Sequence, residues 1–221
     1  MLIGHASIDE NSKSKNGKAG DQTGKEVCIR SWYNKNWSYV LRCKDSKLAE
    51  IMAISCEKGC KNENIGYDQN QRNTLRTQAQ KVGYDLSKIA TPCETDCSAF
   101  MTVCAECANI PVPYNGTNAP TTRTMKNAFL QTGMFELLTD SKYLTSDKYL
   151  KRGDILVKEG SHTVMALGNG EPKVEKESID TIAKKVLKGL WGSGTTRKFR
   201  LEQAGYNYND VQKRVNELLK G

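Results

Sequence analysis

The fold is decided by the segment Thr95-Asp96-Cys97-Ser98-Ala99-Phe100-Met101-Thr102-Val103-Cys104, which predicts a polar turn followed by an amphipathic helix. Asp96 is a favoured N-cap, because its carboxylate can accept hydrogen bonds from the free amides of the first turn. The Cys97 thiol then lies at the positive end of the helix dipole, which favours the thiolate and predicts a lowered pKa. Because the thiolate is the form that attacks carbonyl carbons, Cys97 is the candidate nucleophile.

A cysteine nucleophile needs a base, and the chain contains two histidines, His5 and His162. His162 follows an apolar run and the turn Glu159-Gly160-Ser161, and it opens a second apolar run. This pattern predicts a β-hairpin with His162 at the start of its second strand. A cysteine at a helix start and a histidine on a later strand is the order of papain-like peptidases. The alternative is a structural cysteine and a histidine that only caps a strand.

The composition limits the classes of partner. Lys and Arg number 33 against 25 Asp and Glu, and the net charge of +8 favours an acidic partner such as nucleic acid, an anionic membrane or a cell wall. No basic stripe is interleaved with aromatic residues, so no nucleic-acid binding is expected. No apolar stretch approaches the roughly 18 residues of a membrane span, and residues 1–5 do not begin a signal peptide. We therefore expect no stable membrane insertion and no signal peptide.

The eight cysteines are a high count for a chain of 221 residues. Without a signal peptide, a disulfide framework is not expected. Cys56 and Cys60, like Cys104 and Cys107, have the close spacing of paired zinc ligands. Both pairs, however, lie on the apolar stripe of a predicted helix, where free cysteines are commonly buried. The sequence therefore predicts core cysteines, no metal and no other cofactor.

The N-terminal region reads as a loop followed by two strands. Residues 4–24 have loop-like composition and lack the carboxylate spacing of an EF-hand, so no calcium site is expected. Strands are predicted near residues 28–33 and 37–42, with aromatic side chains that either pack in the core or line a substrate groove. Hydrophobic spacing and breakers predict further elements, namely helices over 46–62, 68–83, 97–109 and 124–132 and a strand over 135–138, with Ser46 and Asp68 at two of the helix starts.

Polar residues of the loop-like segment are secondary site candidates. His5, Asp21 and Gln22 are placed to approach the active site, where they would orient His162 or donate to an oxyanion. A loop histidine with no catalytic role is the alternative for His5.

Three short motifs carry a resemblance to a known superfamily. Asp96-Cys97-Ser98 before an apolar helix, Arg152-Gly153-Asp154, and Gly160-Ser161-His162 resemble the NlpC and CHAP superfamily of peptidoglycan hydrolases, and the aspartate before the cysteine is closer to NlpC. The resemblance implies an α+β fold: a papain-like cysteine peptidase domain with N-terminal helices packed on an antiparallel sheet. It also implies a third polar residue that orients the imidazole, for which Asn169 is the candidate.

The same resemblance implies roles in substrate binding. The residue before the cysteine is associated with the free amine of the stem peptide, which would give Asp96 a second role beside capping. Ser98, Ser161 and Gln22 complete the candidate substrate-binding set of this domain.

Residues 169–178 are charged and aperiodic, which predicts a linker, and residues 179–221 predict a small three-helix bundle. The bundle resembles the Cpl-seven-type cell-wall-binding repeat of phage lysins through Val186, Gly189, Trp191-Gly192, Gly194, Arg197, Arg200-Leu201, Ala204-Gly205-Tyr206, Val211-Gln212 and Val215-Asn216. This implies binding to the glycan-peptide unit of peptidoglycan. The candidate ligand residues are Arg197, Arg200, Gln212 and Arg214.

Together, the two resemblances imply a phage endolysin with a catalytic domain at 1–168, a linker at 169–178 and a wall-binding module at 179–221. The expected reaction is cleavage of a γ-D-glutamyl peptide bond in a Gram-positive wall, with an N-acetylmuramoyl-L-alanine amidase as the alternative. A catalytically inactive wall-binding protein is the alternative of another class. An endolysin would be synthesised in the host cytoplasm and released by a membrane-permeabilising partner. A single wall-binding module binds weakly, and a homo-oligomer would strengthen binding through avidity, so the oligomeric state is left open.

Overall fold

The structure is a computed structural model that describes residues 1–171 and 177–220. The chain divides into two compact units, Met1–Pro172 and Lys173–Gly221. The start of the predicted linker belongs to the first unit, because the Gly170 amide donates to the Leu150 carbonyl at 2.8 Å. Residues 172–176 of that predicted linker lie outside the described residues.

The described part of the first unit combines eight strands with five α-helices and a short 3₁₀ helix, Leu86–Lys88. The strands are β1 (Leu2–Ala6), β2 (Val27–Ser31), β3 (Tyr39–Cys43), β4 (Ile65–Tyr67), β5 (Cys93–Thr95), β6 (Phe135–Leu138), β7 (Ile155–Lys158) and β8 (His162–Ala166). The helices are α1 (Ser46–Cys60), α2 (Thr74–Lys81), α3 (Cys97–Cys107), α4 (Met125–Gln131) and α5 (Ser141–Leu144). Six strands form an antiparallel sheet in the order β2-β1-β8-β7-β3-β6, and β4 pairs with β5 in parallel. The prediction of a mixed α+β fold with an antiparallel sheet is confirmed.

Apolar side chains cover both faces of the six-stranded sheet. One face packs against α1 and α3, with Leu41, Ile155 and Met165 in the shared core. The opposite face carries a second cluster that includes Trp37 and Val164, with Trp32 and Tyr33 packed against it. Of the aromatic side chains of the 28–42 region, Trp32, Tyr33 and Trp37 pack in this second cluster, whereas Tyr39 lies in the core on the helix-covered face.

Strand β1 corrects the start of the loop expected over residues 4–24, because residues 4–6 lie in this strand. Glycine and histidine are poor strand formers, which is why the composition of this segment suggested a loop. Gly4 is nevertheless required in the strand, because a Cβ there would overlap the Cys56 Sγ of α1. Its missing side chain lets the helix lie close to the sheet. As a result β1 is an interior strand between β2 and β8.

Two helix starts differ from the sequence prediction. The N-cap of α1 is Asp45 rather than Ser46, and its side chain accepts from the amides of the first turn. Asp68 starts no helix; its carboxylate accepts from the amides of Asn70 and Gln71, and α2 begins only at Thr74. Both differences involve a polar acceptor that binds nearby backbone amides in a turn as readily as at a helix start.

All eight cysteines are free. The Cys56 thiol contacts those of Cys60 and Cys104 between α1 and α3, so three of the four cysteines with zinc-like spacing share one buried cluster. Within residues 1–171 and 177–220, no group of three or more His, Cys, Asp or Glu side chains is arranged to hold a metal ion. No helix in this part of the chain is both long enough and apolar enough to cross a bilayer.

The second unit contains helices α6 (Ile179–Leu187), α7 (Gly194–Gln203) and α8 (Tyr208–Leu218). They share a buried apolar cluster of Ile182, Ala183, Val186, Leu201, Val211 and Val215. The rings of Trp191 and Tyr206 pack against this cluster and meet edge to face, with centroids 6.1 Å apart. Trp191 is thus a packing residue of a small core.

A buried acid lies directly before the predicted nucleophile turn. Glu94 of β5 is 1% exposed, and neither of its carboxylate oxygens has a hydrogen-bond partner. Burial, followed by the nearby charge of Glu26, raises the pKa of Glu94 to about 8. Glu94 is therefore a neutral carboxylic acid at pH 7.

We predict that Glu94→Gln stabilises the protein at pH 9 by on the order of 2 kcal/mol and has little effect at pH 5. The raised pKa of Glu94 means that the native state holds the proton more tightly than the unfolded state, so stability falls as the pH rises from about 4.5 to about 8. Glutamine mimics the protonated acid and cannot ionise. Urea unfolding at both pH values, with the exposed Glu63→Gln as the control, measures the effect; equal shifts at the two pH values would contradict it.

Candidate active site

Asp96 caps α3 as the sequence predicted, since its Oδ1 accepts from the Ala99 amide at 2.7 Å and from the Ser98 hydroxyl at 3.0 Å. The carboxylate also forms a two-pronged ion pair with Arg72, whose Nε lies 2.6 Å from Oδ2 and whose Nη2 lies 3.0 Å from Oδ1. Both oxygens are therefore engaged within the protein. Arg72 thus balances the charge of the carboxylate that was expected to bind a free amine.

Arg72 joins three parts of the site. Besides Asp96, its Nη2 donates to the Ser98 hydroxyl at 2.8 Å and to the Pro120 carbonyl at 2.9 Å, and its Nη1 donates to the Ala119 carbonyl. The predicted substrate residue Ser98 is thus held in a network and is 2% exposed. No motif in the sequence pointed to Arg72, since it lies 24 residues before its partner.

Cys97 is the first residue of α3 and is 6% exposed. Burial and the adjacent Asp96 raise its pKa to about 12, although the backbone amides of Thr163 and Ser98 and the Arg72 charge act in the opposite direction. The expectation of a lowered pKa is therefore wrong for this state of the protein. Loss of hydration outweighs the helix dipole when a thiol is this deeply buried. At neutral pH Cys97 is a thiol.

The predicted nucleophile and the predicted hairpin meet at one cavity. Its volume is about 310 Å³, and its walls are Lys15, Gln69, Asn70, Arg72, Asp96, Cys97, Ser98, Thr121, Thr122, Gly160 and Ser161. Ser161 directly precedes His162, and the amide of Thr163, directly after it, faces the Cys97 sulfur. The structure therefore brings Cys97, Ser98 and the hairpin turn together around one small space.

His162 contacts the imidazole of His5, one of the N-terminal residues expected to approach the active site and orient it. His5 of β1 lies 3.3 Å from His162 (Nδ1 to Nε2), and the two rings meet edge to face with centroids 5.5 Å apart. The His5 Nε2 in turn lies 3.4 Å from the Cys28 sulfur. Burial, with added positive charge from Arg30, lowers the pKa of His5 to about 4. Burial and then the charge of His5 lower the pKa of His162 to about 3. Both rings are neutral at pH 7.

The structure places Asn169 away from the imidazole pair. His162 opens β8, whereas Asn169 lies three residues past the end of that strand, so the strand length separates the two. The Asn169 side chain accepts from the Arg152 amide at 3.1 Å. A residue placed there cannot orient His162, and His5 is the polar group in contact with that ring.

The other candidates of the N-terminal loop hold its own backbone. Gln22 donates to the carbonyls of Ala19 and Gly20, and the Asp21 carboxylate accepts from the amides of Thr23 and Gly24. These contacts explain a loop that is ordered without regular structure. In this structure the side chains of Asp21 and Gln22 stabilise the conformation of the loop.

The candidate ligand residues of the second unit differ in their surroundings. Arg197 donates to the Gln212 side chain at 3.2 Å, so these two form one polar group. Arg200 is exposed. Arg214 pairs with Asp180 at 2.6 Å and with Glu217 at 3.0 Å, so its charge is balanced within the unit.

Comparisons with known proteins give matches for both units. The family model described as Endolysin-like domain matches residues 3–173, and the model of the CW_7 repeat matches residues 180–219. A lysozyme of Streptococcus phage Cp-7 is 46% identical over 42 residues, which are 19% of this chain and 12% of that lysozyme. No solved structure matches the chain at a significant level. The first family match covers most of the chain.

We predict that Arg72→Met destabilises the first unit by about 3 kcal/mol, because it leaves the Asp96 carboxylate buried and unpaired. The double variant Arg72→Met/Asp96→Asn should recover part of this loss, since its cap carries no charge. A double-mutant cycle by urea unfolding, completed with Asp96→Asn alone, measures the coupling. Additive effects of the two substitutions would show that the ion pair does not hold the turn.

Proposed function

The chain belongs to the endolysin-like domain family, and from this premise we propose that it is a bacteriolytic hydrolase of the peptidoglycan of Gram-positive cells. In this proposal residues 1–168 form a papain-like catalytic domain of the NlpC and CHAP kind. Residues 179–221 form the wall-binding three-helix module, which the CW_7 match over 180–219 supports. Arg197, Gln212 and Arg200 are its proposed ligand groups, and Arg214 supports the fold.

The observation that carries the catalytic proposal is the convergence of Cys97 and the turn before His162 on one cavity, with His5 against Nε2 of His162. Because Nε2 of His162 faces His5, Nδ1 is the nitrogen left to exchange a proton with the thiol. His5 takes the orienting place first assigned to Asn169. It reaches that place because β1 is the sheet neighbour of β8.

Acyl transfer follows from these groups. Cys97 favours the thiol and His162 the neutral imidazole, so the proton moves to His162 as the sulfur attacks the amide carbon, rather than beforehand. The backbone amide of Cys97 at the start of α3 helps to hold the oxyanion. The carbon–nitrogen bond then breaks, and the leaving amine takes the proton from His162. Water attacks the thioester, with His162 as its base, and releases the acid and the thiol.

The proposed scissile bond is the γ-D-glutamyl peptide bond, with the N-acetylmuramoyl-L-alanine amide as the alternative. Mass spectrometry of digested walls distinguishes them. An endopeptidase exposes the amine of the third stem residue, whereas an amidase releases stems with a free L-alanine amine.

An inactive wall-binding protein is the second candidate, because the Cys97 thiol is buried and its pKa is high. Turbidity of Gram-positive cells separates the two candidates, since binding alone does not clear a suspension.

We predict that Cys97→Ala abolishes clearing of purified walls and retains binding to them, since it removes the attacking sulfur and leaves α6–α8 intact. The matched control is Cys107→Ala at the other end of α3, which should clear walls at close to the wild-type rate. A second comparison is Cys28→Ala, because the Cys28 thiol contacts His5. If Cys28→Ala lost clearing and Cys97→Ala retained it, the result would contradict the assignment of Cys97 as the nucleophile.

We predict that His5→Phe lowers kcat by about 10- to 100-fold and moves the acid limb of the pH–rate profile to higher pH. His5 lowers the pKa of His162, so its removal lets that ring protonate at higher pH, where it no longer acts as a base. Asn169→Ala is the control and should leave both quantities unchanged. A lower rate with an unmoved acid limb would assign His5 a purely structural role.

A further inference from the structure

We propose that the cavity beside Cys97 recognises a carboxylate next to the scissile amide, through the side chains of Lys15 and Arg123. The substrate class is a stem peptide whose D-glutamate keeps its α-carboxylate, rather than one in which that group is amidated. This inference rests on the proposed function and narrows it.

The first step concerns Asp96, the side chain that could attract a substrate amine. Asp96 is the acidic side chain in the cavity wall, and Arg72 neutralises it through two short contacts. The oxygens of Asp96 accept, in addition, from Ser98 and Ala99. A substrate ammonium would have to displace a buried guanidinium, which is costly.

The second step is the presence of a cation in the cavity wall. Lys15 lines the cavity and forms no hydrogen bond or ion pair with the rest of the described chain. Its backbone is fixed at that place from both sides. The Ser14 carbonyl accepts from the Gln69 amide at 3.0 Å, and the Asn16 side chain accepts from Asn70 at 2.9 Å. Gln69 and Asn70 are themselves cavity residues, so Lys15 is held at the wall although it belongs to a loop.

A second cation, Arg123, lies beside the cavity residue Gly160. The Arg123 guanidinium carbon is 3.1 Å from the point where a Cβ of Gly160 would lie, so the guanidinium rests on the bare backbone of the hairpin turn. Among residues 1–171 and 177–220 it has no ion-pair partner. Burial and then the charge of Glu159, from the same turn, raise the pKa of Tyr39, and Asp96 is already neutralised by Arg72. Within the described residues, Lys15 and Arg123 are therefore two cations at this site whose charges no ion pair balances.

The chemistry of the stem selects the ligand. D-Glutamate is joined through its γ-carboxyl group, so its α-carboxylate lies a few bonds from the carbonyl that Cys97 would attack. The muramoyl–L-alanine bond has no carboxylate at this distance, because the alanine carboxyl group is itself in an amide. Free cations at the cavity thus favour the γ-D-glutamyl bond over the amidase alternative.

The test uses two synthetic muramyl tetrapeptides that differ only in a D-glutamate α-carboxylate or α-carboxamide. We expect the full-length wild-type protein to cleave the carboxylate form with at least a 10-fold higher kcat/KM. Lys15→Gln and Arg123→Gln should each reduce this ratio by about threefold or more, mainly through KM. Lys13→Gln, an exposed lysine of the same loop, is the matched control and should keep the wild-type ratio.

Equal cleavage of the two peptides by the wild type would overturn the proposal, as would an unchanged ratio in both variants. Either result is separable from failure of the proposed function, because Cys97-dependent clearing of purified walls would remain. Cleavage of neither peptide by protein that clears walls would also overturn the proposal.

Discussion

The ion pair between Arg72 and Asp96 is the constraint on which the site depends. It fixes the turn between β5 and α3, and therefore fixes where the Cys97 sulfur lies. Arg72 also draws the 119–120 segment against this turn through two carbonyl groups. Because both charges are largely buried, each holds the other in place, and neither can be given up to a ligand without a large desolvation penalty. One interaction thus builds the turn that carries Cys97 and balances the acidic charge in the cavity wall.

The electrostatic state of the proposed catalytic groups follows from how deeply they are buried. Cys97 is held as a thiol and His162 as a neutral imidazole, with pKa values near 12 and 3. An ionised thiolate–imidazolium pair is therefore not the resting state, and in the proposed reaction charge develops only as the thiol attacks. The amides of Ser98 and Thr163 and the Arg72 charge already favour a negative sulfur. They lower the energy of the charged state at the point of the reaction where it forms.

The sequence predicted the features that depend on neighbours along the chain. The Asp96 cap, helix α3 and the β7–β8 hairpin were found because a cap, an apolar period and a turn are local signals. Arg72 was missed, since an ion pair across 24 residues leaves no periodic trace. Strand β1 was missed because its glycine is chosen by contact with α1 rather than by strand propensity. Asn169 was predicted from its position after the histidine strand along the chain. The observed partner of His162 is instead His5, because β1 is the neighbour of β8 in the sheet.

The position of β1 links the proposed catalytic pair of His5 and His162 to the stability of the first unit. This strand lies inside the sheet, carries His5 against His162, and places Gly4 against the thiols of α1. If β1 left the sheet, the contact of His5 with His162 and the packing of Gly4 against α1 would be lost together. A strand at the sheet edge would permit a partly active, frayed state, because its loss would leave the other pairings intact. An interior strand removes that state, so an ordered His5–His162 pair and a closed core are consequences of the same set of backbone hydrogen bonds.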